Sequence, residues 1–265
     1  MLKSVKISEV ISALERFAPL PLQESYDNAG LQVGLTEAEV SGALLCLDVT
    51  ETIVDEAISS GCNLIVSHHP LIFRALKRLV DADEVQKTVA KAIRNNITIV
   101  SMHTNIDNAK GGVNFKIAEK LGLEEVDFLE KKTLGDLEYG SGVIGKMQTA
   151  IDAREFVARL KDVFGVECAQ CNSLINRKIK TVALCGGAGA FMLDEAIAKG
   201  ADAFVTGEMH YHEFFGHENQ IQIAVIGHFQ SEQYTTEIFE SIIKEACPGV
   251  ITHVTKQNTN PIIYL

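Results

Sequence analysis

Long apolar runs are missing from this chain: no stretch approaches the ~18 uninterrupted apolar residues that a membrane span requires. The opening residues, MLKSVKISEVISALERFAPL, are broken by Lys3, Lys6, Glu9, Glu15 and Arg16 and lack the apolar block of a signal peptide. Cysteine is sparse. The six cysteines (Cys46, Cys62, Cys168, Cys171, Cys185 and Cys247) show no dense spacing, and several sit in apolar runs, which fits buried free thiols in a reducing compartment. A cytoplasmic location is the expectation. Cys168-Ala-Gln-Cys171 has the spacing of half a zinc knuckle, but no second pair completes it. Basic charge is also short: 24 Lys and Arg against 35 Asp and Glu give a formal net charge of −11. Nonspecific binding to nucleic acid rests on neutralising phosphates with basic groups, so this balance argues against it.

What is present is a globular composition, 46 % apolar and 22 % charged over 265 residues, which excludes a disordered chain. Strand-like apolar runs at 43–49, 63–67, 97–102, 181–185, 203–206 and 221–226 alternate with helical patterns at 51–60, 84–95, 111–121, 190–199 and 232–246. Val5, Val10, Ile11, Leu14 and Phe17 follow helical spacing, and Pro19 and Pro21 stop that helix. Apolar strands flanked by amphipathic helices imply an α/β fold with sheets covered on both faces. No Ser/Gly/Pro-rich linker separates independent domains.

An internal repeat organises the chain. ALLCLDVTETIVDEAISSGCNLIVSH (43–68) aligns without a gap on VALCGGAGAFMLDEAIAKGADAFVTG (182–207), sharing Leu45/Leu184, Cys46/Cys185, the block Asp55-Glu56-Ala57-Ile58 against Asp194-Glu195-Ala196-Ile197, and Gly61/Gly200. Shared patterning explains residue class, whereas a run of identities points to one βαβ unit used twice. The fold expectation is two pseudo-repeated α/β lobes, about 1–125 and 126–265, forming one domain with a dinuclear metal site in the cleft between them and the C-terminal part returning to that site.

The chemistry lies at the strand ends. NITIVSMHTNID (96–107) and IQIAVIGHFQSE (221–232) each end a strand in a His with an acid four residues on: His103 with Asp107, and His228 with Glu232. Another strand ends in Ser67-His68-His69-Pro70. In open α/β sheets, the carboxyl ends of parallel strands are where ligands bind. A single His there is ordinarily a hydrogen-bonded core residue. Several His-bearing strand ends with acids at matching offsets are harder to explain by packing. Imidazole and carboxylate together suit zinc, manganese, iron or a similar divalent ion, and His68, His69, His103, Asp107, His228 and Glu232 are enough for two. Glu208, His210 and His212 share a face of TGEMHYHE if that segment is extended and then line a substrate cleft; a solvated polar loop is the alternative. Gly186-Gly187-Ala188-Gly189, and the matching turn near Thr50, occupy the strand-to-helix position of a phosphate cradle, or are simply tight turns.

Taken in order, SYDNAGLQVG (25–34), SHHP (67–70), HTNIDNAKGGVN (103–114), TGEMHYHE (206–213) and GHFQSE (227–232) resemble the GTP cyclohydrolase I type 2 family, the NGG-one-interacting-factor-three-like proteins. The resemblance spans nearly the whole chain. It implies a dinuclear metal site with ligands His68, His69, Asp107, His228 and Glu232, with Glu232 as the bridge. It also implies a toroidal homohexamer. Tyr26 stands where many relatives carry Trp, and the short 130–178 segment leaves no room for the inserted extra domain of longer relatives.

The function expected from this set is metal-dependent hydrolysis, with GTP and water giving 7,8-dihydroneopterin triphosphate and formate. His103 is the expected proton-transfer residue, and Glu232 serves in catalysis as well as in ligation. The alternatives are hydrolysis of another nucleotide or phosphoester, and a metal-binding scaffold or regulatory protein without GTP hydrolysis.

Overall fold

A computed structural model describes residues 4–264; Met1, Leu2, Lys3 and Leu265 lie outside the described residues, Lys3 being one of the charges noted above. The fold is mixed α/β with two sheets, and the chain packs as two compact units. The first takes the residues up to Ile106 together with Thr235–Pro261, and the second takes Asp107–Tyr234 and the residues from Ile262 on.

In the first unit, α1 (Ile7–Phe17) is followed by β1 (Gly30–Val33), β2 (Ala43–Cys46), α2 (Glu51–Ser59), β3 (Leu64–Ser67), α3 (Glu84–Arg94) and β4 (Thr98–Ser101). Polar side chains start the helices: Thr50 accepts the Ile53 amide at the head of α2, and Asp83 accepts that of Gln86 at the head of α3. The chain later returns to this unit with α9 (Thr235–Ala246) and β11 (Thr252–Val254), so the sheet runs β1-β4-β3-β2-β11 with only β1 antiparallel. Every residue of β2, β3 and β4 is buried, as strands covered on both faces require. Leu44, Cys46, Ile65 and Ile99 pack with Ile53, Val54 and Ala57 of α2 and Val89 and Ala92 of α3. In-register pairing of Cys46 with Ser67, and of Ser67 with Ser101, brings the carboxyl ends of β2, β3 and β4 to one sheet edge. Past those ends come Asp48, His68 and His69, and His103.

α4 (Thr104–Asp107) ends on Asp107, the first residue of the second unit, in which α5 (Val113–Leu121) leads into a long antiparallel pair, β5 (Leu123–Leu134) and β6 (Leu137–Ile151). Then come α6 (Ala153–Phe164), β7 (Gln170–Cys171), β8 (Ile179–Cys185), α7 (Leu193–Ala198), β9 (Ala203–Thr206), β10 (Gln222–Val225) and α8 (His228–Glu232). The sheet order is β5-β6-β8-β9-β10-β7, with β8, β9 and β10 parallel. Ala183, Phe204, Ile223 and Val225 pack against Met192, Leu193 and Ala196. The two aligned segments therefore form β2-α2-β3 and β8-α7-β9, each a strand, a helix and a parallel strand. Among the described residues, no helix is long and apolar enough to cross a membrane.

The structure departs from the sequence reading in several places, and β1, α6, β7 and β11 were not among the expected elements. The helix expected over 190–199 starts as a 3-10 turn, Gly189–Met192, because no side chain caps it, and becomes α-helical only at Leu193. The helix expected over 232–246 begins only at Thr235, because Glu232 ends α8 and Gln233 and Tyr234 turn the chain, their side chains donating to the carbonyls of Phe164 (3.0 Å) and Val163 (2.9 Å). The β5–β6 hairpin was not anticipated: LEEVDFLEKKTL buries only Leu123, Phe128 and Leu129 and shows no clean period-2 alternation.

Candidate metal centre

The first unit brings three imidazoles together. His68 and His69 directly follow β3, where the chain turns ahead of Pro70. In a continuing strand they would face opposite ways; here their ring centroids are 4.8 Å apart. Hydrogen bonds of the Ser67 hydroxyl to Ser101 (2.8 Å) and to the His69 carbonyl (3.0 Å) shape this turn. His103 follows β4, with ring centroids 5.3 Å from His68 and 5.5 Å from His69. One ligand nitrogen from each of the three lies within 4.8 Å of the others.

Each ring is held from behind by its Nδ1. His68 Nδ1 donates to the Met102 carbonyl (2.9 Å), His69 Nδ1 to Asp48 Oδ1 (2.8 Å) and His103 Nδ1 to Asp27 Oδ1 (2.7 Å). A carbonyl or an ionised carboxylate only accepts, which assigns the proton to Nδ1 and leaves the lone pair of a neutral ring on Nε2. Burial pushes the Asp27 carboxyl up, but the hydrogen bonds from His103 and Thr104 outweigh it and hold the group down to about 2. For Asp48, too, burial pushes the carboxyl up but is outweighed, here chiefly by the hydrogen bond from His69 with a further one from Thr259, and the carboxyl is lowered.

The second unit carries Asp107, His228 and Glu232. A helix does begin at His228, so Glu232 four residues on lies on the same face, and His228 Nε2 is 3.1 Å from Glu232 Oε2. Glu232 is buried, and one of its carboxylate oxygens lies within 4.8 Å of one from Asp107. The same backing recurs: His228 Nδ1 donates to Glu208 Oε1 (2.9 Å). Behind Glu232 sits Gly187 at φ +56°, where an added Cβ would come within 2.2 Å of Glu232 Oε1. Gly207 is pressed equally hard, its Cβ position 2.6 Å from the Gly187 carbonyl oxygen. Only glycine permits either approach.

Each expected ligand is thus placed among others of its set: His68, His69 and His103 in one unit, Asp107, His228 and Glu232 in the other. The sequence reading missed Asp27 and Asp48. Asp27 lies inside SYDNAGLQVG, and Asp48 stands just past β2 on the edge that carries the histidines, which was the available signal.

Other candidates change meaning. The amides of Gly186 and Gly187 are engaged by Asn114 Oδ1 (2.9 Å) and Ser231 Oγ (3.0 Å), and the Thr50 hydroxyl caps α2, so those groups cradle the fold. TGEMHYHE is not extended: His210 heads a 3-10 turn, Tyr211–Phe214, so alternation does not hold. Glu208 and His210 still line a cavity of about 620 Å³ with Phe191, Glu213, His228 and Tyr264, and His212 is exposed elsewhere. Cys168 is exposed, burial pushes the Cys171 thiol up to about 11, and among the described residues neither joins a metal-type cluster.

The model of the Duf34/NIF3 (NGG1p interacting factor 3) family matches residues 5–261. The chain belongs to this family. Among curated Duf34/NIF3 relatives, a Clostridium acetobutylicum GTP cyclohydrolase 1 type 2 homolog is 34 % identical over 231 residues, covering 86 % of each chain. A Campylobacter jejuni protein of the same name is 30 % identical, covering 98 % of this chain and all of its own. Among solved structures, a Staphylococcus aureus protein superposes with TM-score 0.91 at 26 % identity, covering 99 % of this chain and 100 % of that one. A Bacillus cereus protein related to NIF3 gives TM-score 0.88 at 25 %, again covering 99 % and 100 %.

Proposed function

We propose that this Duf34/NIF3 protein is a divalent-metal-dependent hydrolase. Its ligands are His68, His69, Asp107, His228 and Glu232, and Glu232 is the bridging carboxylate of a dinuclear centre. The observation that carries this reading is the anchoring of the histidines: all four hold Nδ1 on a carbonyl or carboxylate oxygen, which leaves Nε2 as the ring nitrogen offered to an ion, and in His228 that nitrogen already lies 3.1 Å from Glu232 Oε2. Metal-ligating histidines are oriented in this way, and solvated core histidines have no need of it. The donors, imidazole nitrogen and carboxylate oxygen, fit zinc, manganese or iron. That the two sets serve one dinuclear centre, within a pseudo-repeated single domain assembled as a homohexamer, rests on the family resemblance.

When bound, such ions supply Lewis acidity and lower the pKa of water toward ~7. The protein's own part is positional. Glu232 is buried, and its carboxylate occupies room that any side chain at position 187 would take. His103 is anchored to Asp27 through Nδ1, so Nε2 is the atom that takes a proton from the attacking water and returns it to the leaving group. The names of the curated relatives support GTP as substrate, and the family resemblance implies that water is added and formate released to give 7,8-dihydroneopterin triphosphate.

The test is incubation of metal-reconstituted protein with GTP, followed by mass spectrometry for both products, with Glu232→Ala as control. The expected result is product from the wild type and at least ~100-fold less from the variant. Intact GTP in the presence of protein holding two ions per chain would remove GTP as substrate and leave the centre standing.

A further inference from the structure

The parallel pairing of β11 with β2 matches Thr252 with Ala43 and Val254 with Leu45, so the chain leaves β11 at the sheet edge where β2 ends. Two clamps then hold it there. The Thr255 amide donates to the Leu45 carbonyl (2.9 Å), and the Glu56 carboxylate accepts both the Thr255 hydroxyl and the Lys256 amide (2.9 Å). The segment therefore reaches Asp48, where the half-buried Thr259 donates its hydroxyl to Oδ2 at 2.8 Å while Oδ1 holds His69. The same device backs His103. There the Thr104 hydroxyl and amide (3.0 Å) occupy Asp27 Oδ2, and Oδ1 holds the ring.

We propose that Thr259 is a positioning residue for His69, acting through Asp48. A carboxylate turns easily about its terminal torsion, so one hydrogen bond leaves its plane loose and a second on the other oxygen fixes it. With the plane fixed, Oδ1 stays aimed at Nδ1, and His69 keeps one tautomer and one ring orientation. His69 as a metal ligand rests on the function proposed above, whereas its orientation by Thr259 does not.

Two readouts on the same variants separate those ideas. In the metal-free protein, histidine ¹⁵N spectra report which nitrogen of His69 carries the proton. Wild type and Thr259→Ser are expected to show the Nδ1–H form, and Thr259→Val a mixture. Chelator competition with zinc is expected to show an affinity loss of about 10-fold for Thr259→Val, the scale typical of groups that orient a ligand, with recovery in Thr259→Ser. An unchanged His69 tautomer in Thr259→Val overturns the proposal, as does a Thr259→Ser variant as impaired as the valine. If the wild type shows the expected spectra but binds no zinc, the metal reading falls while the positioning role stands.

Discussion

Asp27 takes His103 on one oxygen and Thr104 on the other, with its own side chain fully buried. Its carboxyl, at about 2, titrates below the ordinary 3.8. A depressed carboxyl contributes stability that is fully present above the unfolded value and is lost as pH falls through the folded one. The loss should therefore develop from about pH 5 and be complete only at about pH 1, below both values. Urea unfolding measured against pH is expected to show Asp27→Asn less stable by about 2 kcal/mol at pH 7, with a flatter profile through that acid window. A variant that tracks the wild-type profile would show that the pair contributes nothing. Residues of this kind were not legible from the chain alone. His68, His69, Asp107, His228 and Glu232 stand out because they cluster at the ends of apolar runs. Asp27 acquires its meaning from a partner 76 residues away, and Asp48 from one 21 residues away.

At the scale of elements, the buried parallel strands β2, β3, β4, β8, β9 and β10 were readable because their burial leaves uninterrupted apolar runs. The β5–β6 hairpin was not, since the charges that an antiparallel ladder tolerates leave its sequence without a clean period-2 alternation. Nor was the approach of the loop after β8 to α8, which glycine allows without announcing it. Gly187→Ala should be costly for the site as a whole: the new Cβ meets the Glu232 carboxylate, and a φ of +56° adds about 1 kcal/mol of backbone strain. Calorimetric titration with manganese is expected to show at least ~10-fold weaker binding, with the far-ultraviolet circular dichroism spectrum retained. Wild-type affinity in this variant would mean that Glu232 is not a ligand.

Over the whole molecule, folding and ion binding should be linked. A ligand present at 100 times its Kd stabilises by ~2.7 kcal/mol, which for a chain of this size corresponds to a melting shift of roughly 5–10 °C. Calorimetry should show that fall on adding chelator and its reversal on reloading. With a net charge of −11, any divalent cation also relieves general repulsion, so magnesium at matched ionic strength is the control. A shift that magnesium reproduces in full would be screening and would argue against a built centre.

The return of the chain to its first unit also matters while the protein is being made. Glu56 must wait for Thr255, 199 residues later, before its clamp can close, and β2 waits as long for β11. At roughly 5–20 residues per second on the ribosome, that is about 10–40 s. Throughout it the growing polypeptide shows an apolar strand edge with unpaired amides, the kind of surface that recruits a neighbouring nascent chain. Slow translation of the last third should therefore lower the soluble yield even though every residue of the mature protein is unchanged.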